Sequence, residues 1–102
     1  MIFKKGPKDL KITVRFYGVA YDSTGVREWS LVLPQGAKIM DLMRKVTEEH
    51  PKLSSLVYDE KGTLIEYLSI SVNNVDILGL KGFNTELHES ELVLVMPPIG
   101  GG

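Results

Sequence analysis

The chain has 102 residues, 43% hydrophobic and 25% charged, a balance that builds one modest core and excludes both a two-domain protein and a disordered one. A formal net charge of −1 supplies no basic field for nucleic acid or membrane, although the stretch 59–91 carries seven acids against Lys61 and Lys81, while Lys4, Lys5 and Lys8 make the start basic. Cysteine is absent, which removes disulfides, thiolate metal sites and cysteine nucleophiles.

Residues Lys11 to Gly18 alternate, Ile12, Val14 and Phe16 on one face and Lys11, Thr13, Arg15 and Tyr17 on the other, the pattern of a half-buried strand. Asp22, Ser23, Thr24 and Gly25 supply turn chemistry. Arg27 to Leu33 then alternates again until Pro34, so the opening unit reads as a β-hairpin with Trp29 in core or edge packing. From Ala37 to about His50 the period lengthens: Ile39, Leu42, Met43 and Val46 form one helical stripe. Asp41 and Gly36 mark its start and His50-Pro51 its end, with His50 capping the helix. Lys38 is a weak cap because it has no side-chain oxygen to accept a first-turn N–H.

Leu53 to Leu68 mixes apolar residues with the turn DEKG and suggests a helical turn followed by a short strand around Leu64, Ile65 and Tyr67. Ser69 to Val72 and Val75 to Leu78 flank Asn73-Asn74, residues that tolerate positive φ and suit a tight hairpin turn. The stretch from Gly79 to Glu91, including Asn84, is mostly connection. His88, Glu89 and Glu91 lack further metal-ligating neighbours, and Ser90 with His88 lacks the orienting third group of a triad, so this stretch reads as a solvated loop and no metal site is expected.

The last strand, Leu92 to Met96, is apolar at every position before Pro97-Pro98. The expected fold class is α+β, with a mixed sheet, one main helix on one face and the final strand central and parallel to the first. Counted by parity from the charged Glu91, Val93 and Val95 point away from the helix and form an exposed apolar patch, while Leu92, Leu94 and Met96 enter the core.

The chain ends on PPIGGG. Two prolines lead the backbone away from the sheet, and six extended residues reach roughly 20 Å. Terminal glycines pass through a channel too narrow for side chains, so the tip can enter a partner's active site. The reactive group delivered there is the α-carboxylate, which attacks the phosphorus of ATP to give an acyl-adenylate that sulfur or an amine then captures. On this reading the protein is a carrier and the enzyme is its partner.

The KITVRFYG opening, the SVNNVDI hairpin and the ending TELHESELVLVMPPIGGG, above all PP-x-x-GG, resemble the molybdopterin synthase small subunit group within the MoaD/ThiS family of ubiquitin-like sulfur carriers. The likeness spans Leu10 to Gly102 and implies the β-grasp (ubiquitin-like) fold, with residues 1–9 an extension, 10–96 the domain and 97–102 a flexible tail. It implies that Gly101 and Gly102 are the family's terminal pair, with Gly102 bearing the carboxylate that becomes a thiocarboxylate. Partner contacts are then expected at Phe16, Val93, Val95, Pro97, Pro98, Ile99 and Gly100. Gly100 departs from the family, which often has a side chain there. The expected partners are the large subunit of molybdopterin synthase, a ubiquitin-type activating enzyme that uses ATP, and a sulfur donor, with catalytic residues on those enzymes. No permanently bound cofactor, nucleic acid or membrane is expected, and the expected location is the cytoplasm. Two rival readings are a protein modifier joined to lysines and a β-grasp interaction module with an inert tail; thiamine or tRNA sulfur pathways are alternative destinations for the sulfur.

Overall fold

A computed structural model describes residue 6 and residues 8–63 and 69–96. Strand β1 (Asp9–Phe16) and strand β2 (Glu28–Pro34) pair antiparallel from Asp9↔Pro34 to Arg15↔Glu28. Between them lies a feature the sequence pattern did not suggest, the short helix α1 (Val19–Thr24), in place of a simple turn. Its Ala20 is fully buried, and Gly25 closes it in the left-handed conformation (φ 70°), donating its N–H to the Tyr21 carbonyl.

Helix α2 (Ile39–Glu49) buries Ile39, Leu42, Met43, Val46 and Thr47, the expected stripe. The weak cap at Lys38 is compensated from inside the helix, because the Asp41 carboxylate accepts the Lys38 backbone N–H at 2.8 Å. Pro51 ends the helix in a turn, Pro51–Leu53, that runs into the one-turn helix α3 (Ser54–Val57). The strand expected around Leu64, Ile65 and Tyr67 falls outside the described residues.

Strand β3 (Ser69–Val72) turns through Asn73 (φ 48°) and Asn74 (φ 70°) into strand β4 (Val75–Asp76), the left-handed pair that a two-residue hairpin needs. Two 3₁₀ turns, Ile77–Gly79 and Gly82–Asn84, fill the connection to strand β5 (Leu92–Met96). The sheet order is β2-β1-β5-β3-β4, with β5 parallel to β1 and antiparallel to β3. The last strand is therefore central, as expected, and the architecture is the β-grasp.

Parity along β5 is the reverse of the expectation. Val93 and Val95 are fully buried, opposite Val14 and Phe16 on one side and Val72 and Ile70 on the other. Leu92 and Leu94 are half-buried and Met96 is exposed, in the row that contains Thr13, Arg15, Ser71 and Ser69. The reason lies at Glu91. Its side chain shares the core-facing parity but sits at the strand end, where it accepts the His88 backbone N–H and lies 3.6 Å from the His88 ring. Local hydrogen bonds satisfy the charge at 14% exposure, so its sign said nothing about solvent.

Candidate functional site

The residues expected at the site fall into two groups. Pro97, Pro98, Ile99, Gly100, Gly101 and Gly102 lie outside the described residues; in sequence they follow directly on Met96, the end of the central strand. Phe16, Val93 and Val95, expected as surface contacts, are instead part of the core, at 1%, 0% and 0% exposure. That expectation is corrected: an inward-pointing side chain beneath the sheet has no surface to offer. Phe16 also packs edge-on against the His50 ring (centroids 5.6 Å), and His50 in turn against Trp29 (5.2 Å). His50 is the helix C-cap as expected, through its backbone N–H to the Val46 carbonyl, while its ring is held among aromatics.

The apolar side chains of β5 that reach solvent are on the other side of the same strand. Leu92, Leu94 and Met96 line the outer face of β5, opposite the core into which α1 and α2 bury their apolar residues. Thr13 and Arg15 flank this stripe along β1, and Ser69 and Ser71 along β3. Beyond Phe16 the backbone N–H of Tyr17 donates to the Val95 carbonyl at 3.2 Å, so Tyr17, 39% exposed, stands beside the point where the chain leaves the sheet.

Next to that point is a shallow cleft of about 270 Å³ lined by Arg15, Tyr17, Arg27 and Glu28. Arg15 Nε donates to Glu28 Oε1 at 2.8 Å. The Glu28 carboxylate, and after it Tyr17, push the Arg15 pKa above its ordinary value. The Arg27 guanidinium lies 4.7 Å over the Tyr21 ring, a cation–π contact supplied by α1. An apolar stripe with an arginine–tyrosine rim beside the root of the tail is suited to docking a protein surface, and it contains no nucleophile–base pair of its own. Among the described residues no three His, Cys, Asp or Glu side chains converge as metal ligands, and no helix is long and apolar enough to cross a membrane.

The sequence hid Leu92, Leu94 and Met96 because an all-apolar strand has no alternation from which to read its faces. The signal available was His88-x-x-Glu91, a spacing at which a carboxylate closes a turn onto the backbone.

Comparison with known proteins extends the reading past the described residues. Small archaeal modifier protein 3 of Haloferax volcanii is 22% identical over 93 residues, covering 91% of this chain and all of the relative. The solution structure of small archaeal modifier protein 1 from Methanosarcina acetivorans superposes with a TM-score of 0.79 at 25% identity, over 92% of this chain and 98% of that one. The putative molybdopterin converting factor subunit 1 of Pyrococcus furiosus does so with a TM-score of 0.71 at 28% identity, over 88% and 99%. The model of the ThiS family matches residues 14–102, from the middle of β1 through the glycine tail. This chain accordingly belongs to the ThiS family, the β-grasp, ubiquitin-like sulfur carriers and modifiers.

Proposed function

We propose that this protein is a sulfur carrier in molybdenum or tungsten cofactor biosynthesis, working through the carboxylate of Gly102. An activating enzyme of the ubiquitin type brings ATP, and a Gly102 oxygen attacks its α-phosphorus to form the acyl-adenylate with release of pyrophosphate. Hydrosulfide, or a persulfide donor whose S–S bond a thiol then reduces, attacks the acyl carbon, AMP departs, and the thiocarboxylate remains. Thiocarboxylate sulfur is nucleophilic and sits on a displaceable acyl group, so a pyranopterin precursor can take it in the active site of a large synthase subunit. Binding is expected through the outer face of β5, with Leu92, Leu94 and Met96 against the partner and the tail threaded beyond them. The observation that carries the reading is this placement: a central strand whose outer side carries the half-buried Leu92 and Leu94 and the exposed Met96, and whose sequence runs directly into PP-x-x-GG. The similarity to the molybdopterin converting factor subunit supports the pterin destination.

A second destination has its own support in the modifier relatives: after the same activation, a lysine amine takes the place of sulfur and Gly102 is joined to another protein. The test is the intact mass of the chain after incubation with ATP, a sulfur donor and the matching activating enzyme, beside a chain shortened to end at Gly100. Replacement of one terminal oxygen by sulfur, absent from the shortened chain, supports the carrier. An unchanged mass in the presence of a competent enzyme refutes the carrier. Pterin conversion by the thiocarboxylate with the large subunit supports the first, and lysine-linked Gly102 in cell extracts supports the second.

A further inference from the structure

Peroxide reacts first with sulfur, and the chain has no cysteine, so its four methionines are the side chains such an oxidant attacks. Their surroundings differ. Met1 lies outside the described residues. Met43 is fully buried in the stripe of α2, and Met40 of the same helix is half-buried on the core side of the sheet. Met96 is 38% exposed, on the outer face of β5.

That position gives oxidation a consequence. Met96 is the last residue of the central strand, opposite Ser69 of β3, and the carbonyl of its neighbour Val95 accepts the Tyr17 N–H. It continues the outer row of Leu92 and Leu94, and Pro97 follows it directly. A thioether there adds polarizable apolar surface that adapts to whatever packs on it. A sulfoxide is polar and chiral, and its oxygen demands a hydrogen bond wherever a partner excludes water. Leu92 and Leu94 have no such second state.

We propose that Met96 is a reversible oxidation site that weakens docking of the outer face of β5, and so slows activation of the tail, when peroxide is present; the switch rests on the sulfur-carrier reading. A lone pair of the Met96 sulfur forms the S–O bond as the O–O bond of hydrogen peroxide breaks, and the second oxygen leaves as water. Sulfur gives up two electrons and the peroxide takes them. Return requires a dithiol reductant: two thiols become a disulfide, the sulfoxide oxygen leaves as water, and the thioether is restored. Thiocarboxylate sulfur is open to the same oxidants, so a carrier left unloaded under peroxide spares sulfur that would otherwise be lost.

The experiment treats the full chain with hydrogen peroxide, removes the oxidant with catalase, and then adds the activating enzyme and ATP, reading pyrophosphate release. Peptide mapping by mass should find the added oxygen on Met96 about ten-fold sooner than on Met43. Release by the oxidised chain at limiting concentration should fall about five-fold or more, and methionine sulfoxide reductases for both epimers should restore it. Met96→Leu, compared with its own untreated rate, should be insensitive to peroxide although Met1, Met40 and Met43 remain. Met96→Gln, polar at the same place, should be slow with or without peroxide. Urea unfolding should be the same before and after oxidation, which separates lost docking from lost folding. Oxidation of Met40 or Met43 ahead of Met96, an unchanged rate once Met96 is oxidised, unfolding on oxidation, or a Met96→Leu chain slowed as much as the parent would each overturn the switch while leaving the carrier intact. An unoxidised chain that releases no pyrophosphate with a competent enzyme refutes the carrier reading, and the switch falls with it.

Discussion

The two faces of β5 are built from the same chemistry and meet different surroundings. Val93 and Val95 are sealed beneath the sheet, while Leu92, Leu94 and Met96, one residue out of phase, lie on its outer side. Hydrophobicity alone does not distinguish them. Shape and neighbours do: the inner pair is β-branched and meets Val14, Phe16, Ile70 and Val72, whereas the outer three are longer, unbranched at Cβ, and flanked by Thr13, Arg15, Ser69 and Ser71. A stiff side chain suits a fixed core, and a flexible one suits a surface that must fit a partner.

Substitutions sharpen that contrast. The largest effect is expected for Val95→Asp, which buries an unpaired carboxylate against Phe16 and Ile70; a loss of about 4 kcal/mol or more in urea unfolding is predicted, and a folded, stable variant would break the assignment of the inner face. Leu42→Ala removes the helix side of the same core and should cost about 2–5 kcal/mol by the same measurement. Asn74→Ala places a Cβ-bearing residue without a polar side chain at φ 70° and should cost about 1 kcal/mol, with Asn74→Gly close to neutral. Smallest in stability is Leu94→Asp, within about 1 kcal/mol of the parent, yet on the outer face it should slow thiocarboxylate formation about ten-fold or more. An unchanged rate for Leu94→Asp would remove the outer face from the docking surface.

Legibility in the sequence followed how much each segment alternates. Strand β1 was readable because Ile12, Val14 and Phe16 interleave with Lys11, Thr13 and Arg15, and α2 because its stripe recurs at helical spacing. The Asn73-Asn74 turn was readable because positive φ selects few residues. Strand β5 was readable as an element and as the centre of the sheet, but its faces were not, since neither a uniform apolar run nor a satisfied Glu91 carries phase. Helix α1 was missed because Asp22, Ser23, Thr24 and Gly25 are turn formers whose local signal competes with a single buried anchor, Ala20. The tail chemistry was visible only as composition and position, and the family match over residues 14–102 extends to it.

The parallel pairing of Thr13 with Leu92 through Phe16 with Val95 joins the first strand of the sheet to the one made after all the others. Until the ribosome has released β5, the gap between β1 and β3 has no occupant, and the sheet cannot be completed. A nascent chain therefore acquires the outer face of β5 only once the residues just ahead of the glycines have emerged. Chains broken off within β5 should be cleared as unfolded material, so that few folded molecules would lack the residues that follow it.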